Sequence, residues 1–132
     1  NGDLWNSLPD DLKSVIINTR VVSGYGSGDS SNFISNNQKL YLLSGKEVYG
    51  SGSYDTAASN TGQLDYYSNN SVTTSANYLY AKKQYNGVYD YWWLRPASSY
   101  ASTSFAIVDS TGHWTNYTAG NTFGVAPAFR IG

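Results

Sequence analysis

Apolar positions near the start of the chain repeat with a helical period. Between residues 5 and 18, Leu8, Leu12, Val15 and Ile16 fall at i, i+4, i+7 and i+8, which is one face of a helix. Ser7 can cap it, Pro9 suits its first turn, and Asp10 and Asp11 complement its positive end. This predicts a core helix. A β-branched run at 19–23 predicts the first strand. Residues 24–37 are polar and rich in Gly and Ser, with Phe33 and Ile34 as the one apolar anchor, and predict a loop. Residues 39–43 predict a second strand. Ser44-Gly45-Lys46-Glu47 then has the spacing of a capping box, opening a single helical turn through Val48 and Tyr49.

Residues 50–77 form a long polar insert in which 64–67 can make one helical turn; an insert of that length is usually functional or locally structured. Residues 78–85 suit either a helix or a strand. Asn86-Gly87 is a turn signal leading into 88–90. Tyr91-Trp92-Trp93-Leu94-Arg95-Pro96 follows, bulky throughout, and predicts a strand buried on both faces that Pro96 ends. Residues 97–103 predict a loop of small side chains around Tyr100. Residues 104–109 and 113–118 predict two strands joined by the turn Asp109-Ser110-Thr111-Gly112, with glycine where φ is positive. After a loop at 119–122, Val125, Pro127, Phe129 and Ile131 alternate to one face of a closing strand.

Arg95 changes this picture, because a guanidinium at the end of a buried strand is costly without a partner. It either pairs with a carboxylate and stitches the core, the commoner arrangement, or binds a ligand. Glu47, flanked by apolar residues, is the candidate partner; the alternative is that Glu47 is a plain capping residue.

Composition narrows the function classes. The chain has 132 residues, enough for one domain with a core of its own. It has no cysteine, so neither disulfides nor thiolate metal sites arise. The lack of an initiating methionine points to an excised or trimmed segment. No run is long and apolar enough for a membrane helix, and none has the form of a signal peptide. Net charge is −1 with no basic stripe, which argues against nucleic acid. Ser, Thr, Asn, Gly and Tyr make up about half the chain, the vocabulary of adaptable binding loops. Extracellular and phage β-rich proteins share that bias.

Trp92-Trp93-Leu94-Arg95, Phe105, Val108 and Gly112, and the closing Gly124-Val125-Ala126-Pro127-Ala128-Phe129 resemble a family of bacterial and phage domains of unassigned function. That family shares a WWLR segment and a terminal G-V-R-P-A-F. Leu40-Tyr41-Leu42-Leu43-Ser44, with Glu47-Val48, resembles its L-x-L-L-S-x-x-E-V segment. Arg95 runs directly into Pro96 where a serine usually intervenes, and Ala126 stands where arginine is usual. No role of that arginine carries over. The family is similar to the C-type-lectin fold in the version shared by formylglycine-generating enzymes and the variable proteins of diversity-generating retroelements. The resemblance implies a single α+β domain over residues 1–132, with short twisted antiparallel sheets, one or two helices and long irregular loops. It also implies that the last strand pairs near the first.

Little chemistry survives inspection. The enzymes of that fold use active-site cysteines, which this chain lacks. His113 is the one histidine, and no zinc-binding spacing surrounds it. A nucleophilic triad through a serine, His113 and Asp109 would need the carboxylate to orient the imidazole across a turn. The calcium motifs of animal lectins are absent, and Gly24 to Gly28 precede no helix that could cradle phosphate. Asn69 and Asn116 head glycosylation-like triplets of no further weight.

The reading is therefore a non-catalytic domain, without cofactor or metal, that binds a ligand or receptor. It would sit outside the cell, on a cell surface or on a virion, in a phage tail or bacterial surface protein. A retroelement-diversified variable protein is one form of this reading. Partners would be a cell-surface protein or a glycan. The competing reading is a structural or assembly module, packed on another copy or on a longer host chain. Candidate ligand-binding residues are Tyr89, Ser98, Ser99, Tyr100, Ser102, His113, Trp114, Asn116, Tyr117 and Asn121. Glu47, Trp92, Trp93 and Arg95 are candidate framework. Alternation separates Trp114 from Tyr117, so at least one is buried, and Trp114 is the better candidate.

Overall fold

The computed structural model describes residues 2–51 and 62–132. It splits the first helical stretch in two: α1 spans Gly2–Asn6 and α2 spans Asp10–Val15. Proline suits the start of a helix and breaks its interior, and Pro9 stands extended just before α2. Ser7 caps nothing; its hydroxyl donates to the Leu4 carbonyl at 2.7 Å. Neither helix buries a residue, which corrects the expected core helix. The β-branched residues after Val15 leave the helix as β1, Ile16–Ile17, and Ile16 is the one that is buried.

β2, Thr19–Ser23, pairs antiparallel with β3, Phe33–Gln38, which lies in the stretch read as loop. A ribbon of two strands leaves one side open, so Phe33 and Ile34 remain exposed and anchor nothing. β4 is only Tyr41–Leu42. α3, Gly45–Tyr49, starts on a complete capping box. Ser44 Oγ accepts from the Glu47 N–H at 3.1 Å, and Glu47 Oε2 accepts from the Ser44 N–H at 2.9 Å. In the polar insert, residues 52–61 lie outside the described residues; the helical turn is α4, Asp65–Asn69.

A 3-10 turn, Tyr78–Ala81, leads to β5, Lys83–Tyr85, so residues 78–85 are helix-like and then strand. Asn86 and Gly87, both at positive φ, turn the chain into β6, Val88–Asp90. β7, Trp92–Ala97, β8, Ser104–Val108, and β9, Trp114–Thr118, form one antiparallel sheet with β8 in the centre. Burial alternates along β7, so the strand buries one face and only half-buries the other. Pro96 does not end it. The register shifts between Trp93 and Ala97, and in that irregular stretch a missing N–H costs no ladder bond.

The chain closes with β10, Pro127–Ala128, paired to β4, and β11, Arg130–Ile131, paired to β1. The expected alternation of Val125, Pro127, Phe129 and Ile131 is present, but Val125, Phe129 and Ile131 are on the exposed side. The small Ala126 and Ala128 pack on the core instead. Parity was readable; which parity faces inward was not.

One face of the β7–β8–β9 sheet, carrying Trp92, Leu94, Ala106, Val108 and Trp114, joins Val48 and Tyr49 of α3 in the main core. The Tyr49 and Trp114 rings stack at 5.5 Å and 5°. Gly45 is required there, because a methyl on it would collide with the Trp114 ring. Tyr49 donates its hydroxyl to Gly112 O, and Trp92 its indole N–H to Ala81 O at 3.1 Å. Gly112 has φ +95°, as the turn signal required. The described residues are thus an α+β fold of small antiparallel sheets and short helices.

Candidate functional site: an aromatic sheet face and its flanking cleft

Alternation that buries Trp92 and Trp114 sends Trp93, Phe105 and Tyr117 to the opposite face. Phe105 lies directly opposite Tyr117 in the ladder, and both are exposed. The covering that this face receives includes Phe123, from the loop after β9. The Phe123 ring centroid is 5.0 Å from those of Tyr91 and Trp93 and 5.3 Å from that of Tyr117. Trp93 meets Phe105 edge-on at 6.5 Å, and Tyr91 meets Tyr117 at 6.0 Å. Five aromatic rings therefore form a connected, partly solvated cluster.

The loop that delivers Phe123 is tied down by backbone and side-chain hydrogen bonds. Ala119 N–H donates to Thr103 O, and Asn121 donates from Nδ2 to the Thr118 carbonyl and hydroxyl. Gly124 N–H donates to Tyr91 O at 2.8 Å and Gly124 O accepts from Trp93 N–H at 3.0 Å, closing the outer edge of β7. A Cβ on Gly124 would press on the Tyr91 carbonyl at 3.1 Å. On one side of Phe123 lies a cleft of about 460 Å³ reaching Lys83, Asp90 and Tyr91. A shallower hollow of about 260 Å³ lies by Trp93 and Phe105.

The residues singled out from sequence are only partly gathered. Ser98, Ser99, Tyr100 and Ser102 share the loop beside the Ser104–Thr118 end of the sheet, with Asn116, Tyr117 and Asn121 nearby on β9 and its following turn. His113 sits at the other end, four strand positions away, about 13 Å at 3.3 Å per residue. Tyr89 lies on β6 under the Lys82 ammonium, on the hairpin side opposite Lys83 and Asp90. Two assignments are corrected by burial. Trp114 is core, held against Gly45 and Tyr49. Ser98 is fully buried, its hydroxyl accepting from the Tyr100 N–H and from Asn116 Nδ2, so it positions the Tyr100 loop and meets no ligand.

Arg95 is a structural hub. Its side chain and that of Glu47 are each 9% exposed, and they pair at 3.0 Å and 3.3 Å. The guanidinium also donates to Leu42 O and Val22 O. Glu47 both caps α3 and holds Arg95, so the two readings of that residue describe one arrangement.

No triad forms at the β8–β9 turn. Asp109 Oδ1 accepts from the Thr111 hydroxyl and N–H and from the His113 N–H, not from the imidazole. Burial raises the Asp109 carboxyl, but these hydrogen bonds, with the nearby His113, outweigh it and hold the group below its usual range. His113 Nδ1 meets the Thr111 hydroxyl at 2.8 Å, and its ring lies 3.8 Å from Tyr78. Among the described residues, no group of three or more His, Cys, Asp or Glu gathers as a metal site, and no helix is long and apolar enough to cross a membrane.

Sequence reasoning missed Tyr91, Phe105 and Phe123 as surface cluster and counted Trp93 as framework. The available signal was parity: placing Trp92 inward puts Trp93 outward, and the ladder then aligns Phe105 and Tyr117. Phe123, outside any regular element, carried no such signal. Over residues 1–132 the chain matches, and belongs to, the family described as Domain of unknown function (DUF6273). No curated protein and no solved structure matches it.

Proposed function

We propose that this domain is a non-catalytic binding module of a phage tail or bacterial surface protein, with the C-type-lectin-like fold its sequence resembles. The observation that carries this reading is the aromatic cluster of Tyr91, Trp93, Phe105, Tyr117 and Phe123, with Phe105 and Tyr117 open to solvent. Contiguous apolar surface of this kind, fringed by polar loops, marks interaction sites. Tyrosine supplies rigid contact area with few rotors to immobilise. Tyr100, on the adjoining Ser-rich loop, extends the same end of the domain. A retroelement-diversified variable protein remains one form of this reading.

The test pairs binding of the purified chain to bacterial cells with its thermal unfolding. Tyr100→Ala with Tyr117→Ala should remove most cell binding while leaving the unfolding temperature nearly unchanged, because a few aromatic anchors dominate interfaces. Binding lost only in proportion to stability would refute the reading. A second reading, an assembly module, is favoured by a different observation: Leu4, Phe129 and Ile131 are exposed apolar residues away from the cluster, with a hollow running from Leu4 to Val125 at the rim of the cleft. It predicts self-association that Leu4→Ser and Ile131→Ser abolish, measured by sedimentation.

A further inference from the structure

The cleft beside Phe123 has a feature that the aromatic face alone does not explain. Lys83 and Asp90 are directly opposed in the β5–β6 ladder, where an ion pair would be expected, yet they make none. The Lys83 ammonium instead lies over the Trp92 ring, 4.9 Å from its centroid. Asp90 Oδ1 accepts from the Tyr91 N–H, and its other oxygen has no donor among the described residues. Both residues line the 460 Å³ cleft, with Tyr85, Tyr91 and Phe123 supplying aromatic surface. Lys83 is half-buried, and that burial lowers its pKa.

We infer that this cleft binds a neutral sugar ring, with Lys83 donating to one hydroxyl and Asp90 accepting from another. The inference rests on the binding-module reading above and names its ligand class. Charge selects the ligand. An isolated anion that Lys83 attracts is repelled by Asp90, and an isolated cation suffers the reverse. Neighbouring hydroxyls on one ring satisfy both groups at once, since each hydroxyl both donates and accepts. The aromatic walls present negative π faces to the C–H side of the same ring. The size is that of a small-molecule site, and a few convergent polar groups among aromatic walls are its usual make-up. An apolar peptide side chain would leave Lys83 and Asp90 desolvated without compensation.

The test titrates the isotope-labelled full chain with the methyl glycosides of glucose, galactose and N-acetylglucosamine, following amide shifts by NMR. At least one glycoside should shift residues 83–91 and 122–126. Lys83→Met and Asp90→Asn should each weaken that response about tenfold or more, the loss expected for a hydrogen bond to a charged group, with unfolding temperatures unchanged. No shift with any glycoside, shifts elsewhere, or shifts indifferent to both variants would overturn the inference. Cell binding separates the two levels. Binding that resists free glycoside and both cleft variants, but falls with Tyr100→Ala and Tyr117→Ala, keeps the binding module and refutes the sugar. No cell binding, with glycoside shifts present, keeps the sugar site and refutes the surface role.

Discussion

The two faces of the β7–β8–β9 sheet are made by the same strands and nearly the same residue types, yet they differ in what covers them. Inward, Trp92, Leu94, Ala106 and Val108 are each at most 2% exposed, under α3 and its stacked Tyr49. Outward, Ile107 beside Trp93 is fully covered, but toward the far end, where the covering includes Phe123, Phe105 and Tyr117 stay about two-fifths exposed. Adjacent tryptophans thus have different work: Trp92 fills a core, while Trp93 supports a partly wet surface. Hydrophobicity alone does not separate core from contact surface; the neighbouring element does.

The contrast can be broken most severely at the hub. Arg95→Ala leaves Glu47 buried without its partner and should cost about 3–5 kcal/mol, read from denaturant midpoints. A loss under about 1 kcal/mol would show that the pair is solvated. Gly45→Ala comes next: its methyl meets the Trp114 ring and should cost about 1–3 kcal/mol, with a shifted tryptophan emission spectrum. Alkaline pH sharpens the contrast further. Burial raises Tyr49, and raises Tyr67 to about 12. A folded pKa above the unfolded value of about 10 gives stability that is whole below pH about 10 and lost as pH rises toward Tyr67's value. Stability against pH should therefore fall over that window, and less steeply in a Tyr49→Phe, Tyr67→Phe variant. A curve unchanged by the double substitution would contradict an enclosed inner face. The smallest effect is at the surface, where Tyr117→Ala should cost under about 1 kcal/mol, the range of a cross-strand pair.

Local signals in the sequence were dependable where the physics is local. The capping box at Ser44 and Glu47, the Asn86-Gly87 turn and the glycine at 112 all appear where residue chemistry placed them. The Arg95–Glu47 pair was legible because a charge in an apolar strand needs a partner, and few acids had apolar neighbours. Failures came where tertiary neighbours decide. Val125, Phe129 and Ile131 alternate correctly but point outward, because Ala126 and Ala128 are the side chains packed on the core. Residues 33–37 looked like loop because their strand is polar and, among the described residues, pairs only with β2. Of the candidate site, Tyr117 and Tyr100 were placed on the surface correctly, whereas Ser98 and Trp114 were claimed by packing.

The guanidinium of Arg95 also bears on how long the fold lasts. Its partners Val22, Leu42 and Glu47 are 73, 53 and 48 residues away along the chain. Joining them requires three long loops to be closed at once, so the entropy of closure falls on one side chain. Such a contact belongs to the finished molecule more than to the barrier crossed on the way to it. Removing it should then speed unfolding while leaving the refolding rate almost unchanged, which stopped-flow kinetics on Arg95→Ala would resolve. On this account the hub acts as a latch on a rate: it sets the lifetime of the native state.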